Sequence, residues 1–586
     1  MGFGCLHYVF RFLLRILMHV FFQKIEVIGL ENVPKEGPIV FTGNHPNGLI
    51  DPFMLFSFSP RSIHIMAKDT LFRIFCFGSI IKAAGGIPVR RRQDHGGADN
   101  VDNTSVFESV FATLASGECF GIFPEGISHD KSEIQELKSG VSRIALGVCA
   151  QHPDLDLKIV PCGLNYVKGH RFRSKVLIHF GPPMDIDGNL VEQFQSESTE
   201  VSRTAVKKHL AGIEDAMRGV TVNASDWETI RLIHLSCSLY APPTFRWTLK
   251  SRITLMRQFL AAYRQIASLE HVKALRSEIS AYDQTLADWS IRDRHVISGK
   301  RNKFVTFMYI CEKFFLLLIL VPLSLPGAIL NSPVALFSSY ESNKLARKGG
   351  KDVVATYKLV ITFVLLPLLY ILYTIVAVVL LATYTNIMHP AWWVLVFLIG
   401  LPTMTYATVR VAEEGKSVFR SFVVGCKMMR FGKKMKELAA VREDLVEKVR
   451  SVVEAHAPDI PDEERVIPRG SVPDARFAYR TMSYMASAEE RKRIREELDR
   501  IKDDEISDEE NRATGVIDER DFEESVGSDS EEEKEEGGGN ESNDDLEAGN
   551  GESSSPTKES PNENEDDPMI ASSGMVEVQE EEDDDD

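Results

Sequence analysis

The stretch that decides the fold is Asn44-His45-Pro46-Asn47-Gly48-Leu49-Ile50-Asp51. The apolar run Pro38-Ile39-Val40-Phe41 precedes it, and Pro52-Phe53-Met54-Leu55-Phe56 follows. That order predicts a strand, a tight turn and then a helix. The turn presents an imidazole and a carboxylate at the carboxyl end of a strand, where open α/β sheets keep their sites. Histidine is the side chain suited to moving a proton near neutral pH. A neighbouring carboxylate can fix its tautomer and stabilise its charged form.

Outward from this turn, short apolar runs alternate with helical patterns from about Lys24 to Asp187. Strands are expected at Ile63-His64-Ile65-Met66, Cys119 to Phe123, Lys158 to Leu164 and Lys175 to Phe180. Helices are expected from Ser105 to Ala115, stopped by Gly117, and from about Ser139 to Ala150. Strands interleaved with helices predict an α/β domain over residues 24–190, a mixed sheet flanked by helices. Before it, residues 1–23 are apolar apart from Arg11 and Arg15, one turn apart on one helical face, and no small-residue cleavage site follows. A helix lying in the membrane interface is expected there in preference to a span. An amphipathic helical subdomain is expected over 191–300, with aromatic residues and arginines interleaved at Phe245-Arg246-Trp247 and Arg252.

Residues 301–410 form the predicted membrane region. Phe314 to Tyr340 and Leu359 to Val409 carry no charged side chain, and a span needs about 20 such residues. The second run reads as two transmembrane helices, about 359–383 and 390–409. The first, punctuated by Pro322, Pro326-Gly327 and Asn331-Ser332-Pro333, reads as a re-entrant hairpin at about 314–338. That arrangement keeps all three Lys- and Arg-rich flanks on the cytosolic side. A cytosolic helical segment is expected over 411–502, and a disordered acidic tail over 503–586.

The formal net charge of −18 is unevenly spread, because residues 503–586 hold 35 acidic and 4 basic side chains. Residues 1–502 are therefore basic, at a net of about +13. A basic body suits phosphorylated substrates, coenzyme A and acidic lipid headgroups. No helix-turn-helix, zinc-finger or aromatic ribonucleoprotein pattern supports nucleic acid as the partner. Serines beside acidic residues in the tail mark it for an unknown partner or a kinase. The eight cysteines are scattered singly, none at metal-ligand spacing, so no metal and a reducing, cytosol-facing body are expected.

Three further stretches carry chemistry alongside His45 and Asp51. Gly85-Gly86-Ile87-Pro88-Val89 leads into Arg90, Arg91 and Arg92, and arginine grips phosphate in a planar fork. Phe123-Pro124-Glu125-Gly126-Ile127-Ser128-His129-Asp130 closes a strand; Gly126 lets a ligand approach backbone, and Glu125 can accept from a hydroxylated substrate. Val160-Pro161-Cys162-Gly163-Leu164-Asn165-Tyr166 closes another.

These four blocks, in this order, resemble those of the glycerol-phosphate and lysophosphatidate acyltransferase superfamily. Phe123 to Asp130, Pro161 to Tyr166 and Phe172-Arg173-Ser174 look most like its fungal-type glycerol-3-phosphate/dihydroxyacetone-phosphate O-acyltransferases. The resemblance covers roughly residues 24–185 and the general layout of the membrane region. It implies acyl transfer from acyl-CoA, a co-substrate with no bound cofactor, to the sn-1 hydroxyl of glycerol-3-phosphate or dihydroxyacetone phosphate, within an endoplasmic reticulum membrane. His45 is then the general base and Asp51 its orienter. Arg91, helped by Arg90 or Arg92, binds phosphate, and Glu125, Gly126 and Pro161 hold the acceptor. The sequence departs from the pattern twice. Five residues rather than four separate His45 from Asp51, and Ile127-Ser128 replace the usual Thr-Arg. Acylation of lysophosphatidate, a non-catalytic membrane scaffold and a covalent acyl-enzyme on Cys162 or Ser128 are the competing readings.

Overall fold

A computed structural model describes residues 5–73, 77–83, 85–89, 104–242, 245, 247–298, 303–384 and 390–456. Arg90, Arg91, Arg92 and the expected acidic tail lie outside the described residues, as does all of 457–502.

Helix α1 (Cys5–Phe21) leads into β1 (Lys24–Ile28) and β2 (Ile39–Gly43), and the decisive turn joins β2 to α2 (Ile50–Phe58). The chain continues through β3 (Ile63–Lys68), α3 (Asp69–Phe72), α4 (Phe77–Ala83), β4 (Ile87–Val89), α5 (Thr104–Ala115) and β5 (Cys119–Ile122). Next come α6 (Gly140–Gln151), β6 (Lys158–Tyr166), β7 (Lys175–Phe180) and β8 (Met184–Asp185). The strands form one mixed sheet in the order β1-β7-β6-β2-β5-β3-β4, with β8 on β6. Only β7 and β8 run antiparallel to β6; the other pairs are parallel. β2 and β6 are central and almost wholly buried, which is why they read as unbroken apolar runs.

One sheet face is covered by α1 and α2, whose Met18, Phe22, Ile50, Met54 and Leu55 pack on Phe41, Val160 and Cys162. The other is covered by α5, α6 and, past α7 (Gly188–Phe194), by α8 (Thr199–Val220), through Val110, Ile144, Ile213 and Met217. α8, expected within the helical subdomain, thus completes the α/β layer instead.

α1 turns its arginines inward. Arg15 donates to the Ser57 carbonyl at 2.8 Å, and Arg11 to the Ser57, Ser59 and Arg61 carbonyls. These cations satisfy the free carbonyls that end α2 and complement its dipole. Leu6, Tyr8, Val9, Phe12, Leu13 and Ile16 are left exposed on the outer side.

The helical subdomain comprises α9 (Trp227–Tyr240), α10 (Leu249–Ile266), α11 (Glu270–Asp288) and α12 (Asp293–Ser298). It recruits α16 (Gly432–His456), whose Met435, Leu445 and Val449 enter the same core as Leu235, Ile279 and Val296. A buried ion pair pins α16 there: Arg442 bonds both Asp293 oxygens at 2.6 and 2.8 Å, and Tyr282 donates to Asp293 at 2.8 Å. Arg252, fully buried, lies 3.8 Å above the Trp247 ring and donates to Ser238.

Among the described residues, three helices are long and apolar enough to cross a membrane: α13 (Lys303–Gly349), α14 (Val354–Tyr384) and α15 (Pro390–Arg430). The hairpin expected at about 314–338 is not formed. α13 is one helix with Pro322, Pro326 and Pro333 inside it. Prolines in a membrane helix are tolerated where neighbouring helices bring polar groups to the disturbed backbone. At Pro333 the helix's own Ser332 Oγ reaches the Ile329 carbonyl that the proline frees, at 2.8 Å, and beside it the three helices meet in a node of polar side chains. Asn331 donates to Thr405 at 2.9 Å, and the Tyr370 hydroxyl bonds both.

Candidate active site

The β2 strand ends at Gly43, level with Cys162 of β6, and Asn44 extends that pairing with its side chain. Its amide donates to the Leu164 carbonyl at 3.2 Å and accepts from the Leu164 N–H at 2.7 Å. The chain then bends through 46–49, with Gly48 at a φ of +34°, before α2 begins. This bend absorbs the extra residue. His45 Nδ1 stands 2.9 Å from Asp51 Oδ2. Pro46 therefore precedes the helix by a full bend rather than opening it.

Asp51 is wholly buried. Besides His45, Oδ2 accepts the Asn47 N–H at 2.6 Å, and Oδ1 accepts the Tyr166 hydroxyl at 2.6 Å. Burial raises the Asp51 pKa, opposed by the His45 bond and charge, then by Tyr166 and Asn47. Burial first, and the Asp51 charge second, push the Tyr166 phenol well above its ordinary value, so it stays a donor. The carboxylate thus accepts the Nδ1–H hydrogen bond, which turns Nε2 away from Asp51. Nε2 has no hydrogen-bond partner among the described residues. The ring stacks on Phe123, centroids 4.7 Å apart, and its side chain keeps 10% of its surface exposed.

Glu125 plays a different part from the acceptor contact expected of it. One oxygen accepts the His45 N–H at 2.7 Å; the other accepts the Gln135 N–H at 2.7 Å and pairs with His129 Nε2. The His129 N–H in turn donates to the His45 carbonyl at 3.1 Å. Both oxygens are committed to holding the catalytic turn. Gly126 does make the expected backbone turn, at a φ of +73°, but the Lys138 side chain lies over it. Pro161 is not brought to His45. Its ring and carbonyl meet Gly181, on the side opposite its neighbours Val160 and Cys162, which face α2.

Four contributors escaped the sequence reading. Tyr166 and His129 lie inside quoted blocks but carry no local signal of their role. Asp352 and Thr356 come from the elbow between α13 and α14. The Leu49 N–H donates to Thr356 Oγ1 at 3.0 Å, and Ser128 donates to Asp352. Ala355 and Leu359 join the core beneath α2. Among the described residues, no group of three or more His, Cys, Asp or Glu side chains is placed to hold a metal ion.

The His45–Asp51 pair thus sits at the end of a central parallel strand, beneath the helix elbow that supplies Asp352 and Thr356. Residues 24–165 match the acyltransferase family. Residues 232–461 match the glycerol-3-phosphate acyltransferase 2 C-terminal domain. The chain is 32% identical over 370 residues to glycerol-3-phosphate O-acyltransferase 2 of Saccharomyces cerevisiae, covering 59% of this chain and 49% of that protein. It is likewise 32% identical over 370 residues to glycerol-3-phosphate O-acyltransferase 1 of that yeast, covering 61% and 48%. Against an uncharacterized acyltransferase of Schizosaccharomyces pombe the identity is 28% over 508 residues, covering 70% and 74%. The chain spans about half the length of the two S. cerevisiae relatives it matches.

Proposed function

We propose that this protein transfers a fatty acyl group from acyl-CoA to the sn-1 hydroxyl of glycerol-3-phosphate, or of dihydroxyacetone phosphate, giving lysophosphatidate from the former. The observation that carries the reading is His45 held through Nδ1 by a fully buried Asp51, with Nε2 left open. Nε2 takes the acceptor's hydroxyl proton as its oxygen attacks the thioester carbonyl carbon. The tetrahedral intermediate collapses by breaking the carbon–sulfur bond, and the imidazolium returns the proton to the departing thiolate. Asp51 stabilises the imidazolium between the two transfers. Arg91, with Arg90 and Arg92, clamps the phosphate. Glu125 acts by fixing the position of His45. Neither Cys162, buried with its thiol pushed well above the ordinary range by desolvation, nor Ser128, engaged with Asp352, is a nucleophile here.

Microsomes bearing the protein, fed labelled acyl-CoA with each acceptor, test this reading. Lysophosphatidate should form from glycerol-3-phosphate and fall by about 10²–10⁴-fold in His45→Ala. Product from lysophosphatidate alone would select the next acylation step instead, and product unchanged in the variant would remove His45 as the base.

The membrane placement proposed is the endoplasmic reticulum, with the catalytic domain cytosolic. α14 starts on the catalytic turn, and α15 returns to the helical subdomain, where Lys427 donates to the Trp289 carbonyl. Glu413 of α15 pairs with Arg173 of the α/β domain. These contacts favour two crossings, one by α14 and one by α15. α13 begins beside the end of α15, where Ile310 meets Gly425, and ends on the catalytic turn. Both its ends thus lie on the catalytic side, and between them it packs along α15 from Gly425 to Thr405. A glycosylation site inserted at 385–389 should be modified, and one inserted at 350 should not.

A further inference from the structure

The helical subdomain encloses an apolar cavity that the acyl-transfer reading does not use. It opens between α9, α10, α11 and α16, with about 130 Å³ of empty space. Its floor is made by Leu232, Leu255, Leu275, Ile279 and Val449, all buried. Helix packing normally leaves few voids larger than a water molecule. A mostly apolar slot open at one end is the usual form of a site for an apolar ligand with a polar end. The helices around it are well filled elsewhere, with Tyr282, Leu286 and Met435 buried nearby in the same core.

The mouth has a different chemistry. Arg276 lines it and donates to the Tyr263 hydroxyl at 3.0 Å. Its carboxylate neighbour, Glu228, stands 3.8 Å away, beyond hydrogen-bond distance, and is half exposed. His456, also at the mouth, stacks on His271 with ring centroids 5.4 Å apart and their Nε2 atoms 3.2 Å apart. An aliphatic slot lined at its polar end by Arg276 and by His456, with His271 stacked behind it, matches the shape of a single hydrocarbon chain ending in an anion.

We propose that this cavity binds a single-chain anionic lipid, with its acyl chain among Leu232, Leu255 and Ile279 and its head on Arg276 and the His271–His456 pair. The site belongs to the helical subdomain and is separate from the His45 centre, so it is occupied whether or not the acceptor assignment holds. Two sources share this chemistry: a free fatty acid and a lysophosphatidate. α16 both walls the cavity and follows α15 directly, so a bound lipid braces the joint between the subdomain and the membrane helices.

The test uses the full-length protein in phosphatidylcholine nanodiscs, with photoactivatable palmitate and photoactivatable lysophosphatidate as probes. Peptide mapping should find label on α9, α10, α11 and α16. Whichever probe labels at the lower concentration identifies the source. Filling the void with Ala262→Trp should abolish labelling of these helices while acyl transfer stays within about 2-fold. Leu232→Phe, a smaller intrusion, is the second variant in case the first misfolds. Arg276→Gln should weaken labelling by both probes about 10-fold, about 1.4 kcal/mol, and leave labelling by an uncharged long-chain alcohol unchanged. Label confined to α1 and α13–α15 would overturn the proposal, as would cavity labelling indifferent to both filling variants.

Discussion

The Tyr166 hydroxyl acts on His45 through Asp51, and the Glu125 carboxylate through the His45 backbone N–H, so their variants should separate positioning from substrate contact. Tyr166→Phe removes one charge-assisted hydrogen bond from Asp51, worth about 1.5–3 kcal/mol. It should lower kcat roughly 10-fold or more by that magnitude, with KM for glycerol-3-phosphate unchanged. Glu125→Gln keeps an acceptor for the His45 N–H but loses the carboxylate that pairs with His129. If Glu125 supports the turn, steady-state kinetics will show kcat reduced and KM for the phosphorylated acceptor within about 2-fold, because no uniform binding contact has been removed. A large rise in KM alone would return Glu125 to the acceptor site.

At the scale of the element, α8 carries a titration built into its packing. His209 is buried beside the sheet with both ring nitrogens unpartnered, and burial lowers its pKa to about 4. His179 on β7 is lowered to about 4 as well, by burial and then by Arg257. A depressed histidine is neutral in the fold, while the unfolded chain takes up its proton near pH 6.5. The stability these groups contribute is therefore complete above pH 6.5 and is lost as pH falls towards 4. Thermal unfolding between pH 7 and 5 should show a falling midpoint for the native chain and a flatter one for His209→Leu, with His179 retaining part of the slope. The strands were legible because burial writes itself locally: Ile39-Val40-Phe41 and Lys158 to Leu164 read as central strands from their apolar runs alone. The His45 and Phe123 blocks were legible for the same reason, each being one strand end and its turn. Packing partners were not. Nothing in α8 distinguishes an amphipathic helix on the sheet from one in a separate subdomain, and nothing in α16 announces Asp293, 149 residues away. Tyr166 reaches Asp51 across 115 residues, and Thr356 reaches Leu49 across 307. The prolines of α13 signalled a break that the Asn331–Tyr370–Thr405 node makes unnecessary.

For the whole molecule, membrane attachment and catalysis share the same contacts. α1 points its aromatic and aliphatic face outward while Arg11 and Arg15 grip the end of the helix that carries Asp51. Arg173, which bonds the carbonyls that end α1, also pairs with Glu413 of α15. The elbow at Asp352–Thr356 is the shortest of these connections, since it joins a membrane helix to the amide two residues before Asp51 with no intervening side chain. A helix crossing a bilayer adjusts its tilt to the thickness around it, at fractions of a kcal/mol per ångström of mismatch. Tilting α14 moves Thr356 against Leu49, so acyl-chain length in the surrounding lipid becomes an input to the turnover rate. Reconstitution in short-, medium- and long-chain phosphatidylcholine should give kcat values that pass through an optimum. Thr356→Val, which cuts the link to Leu49, should lower the peak and broaden it. On the proposed function, the membrane that receives the product sets, through its own thickness, how fast that product is made.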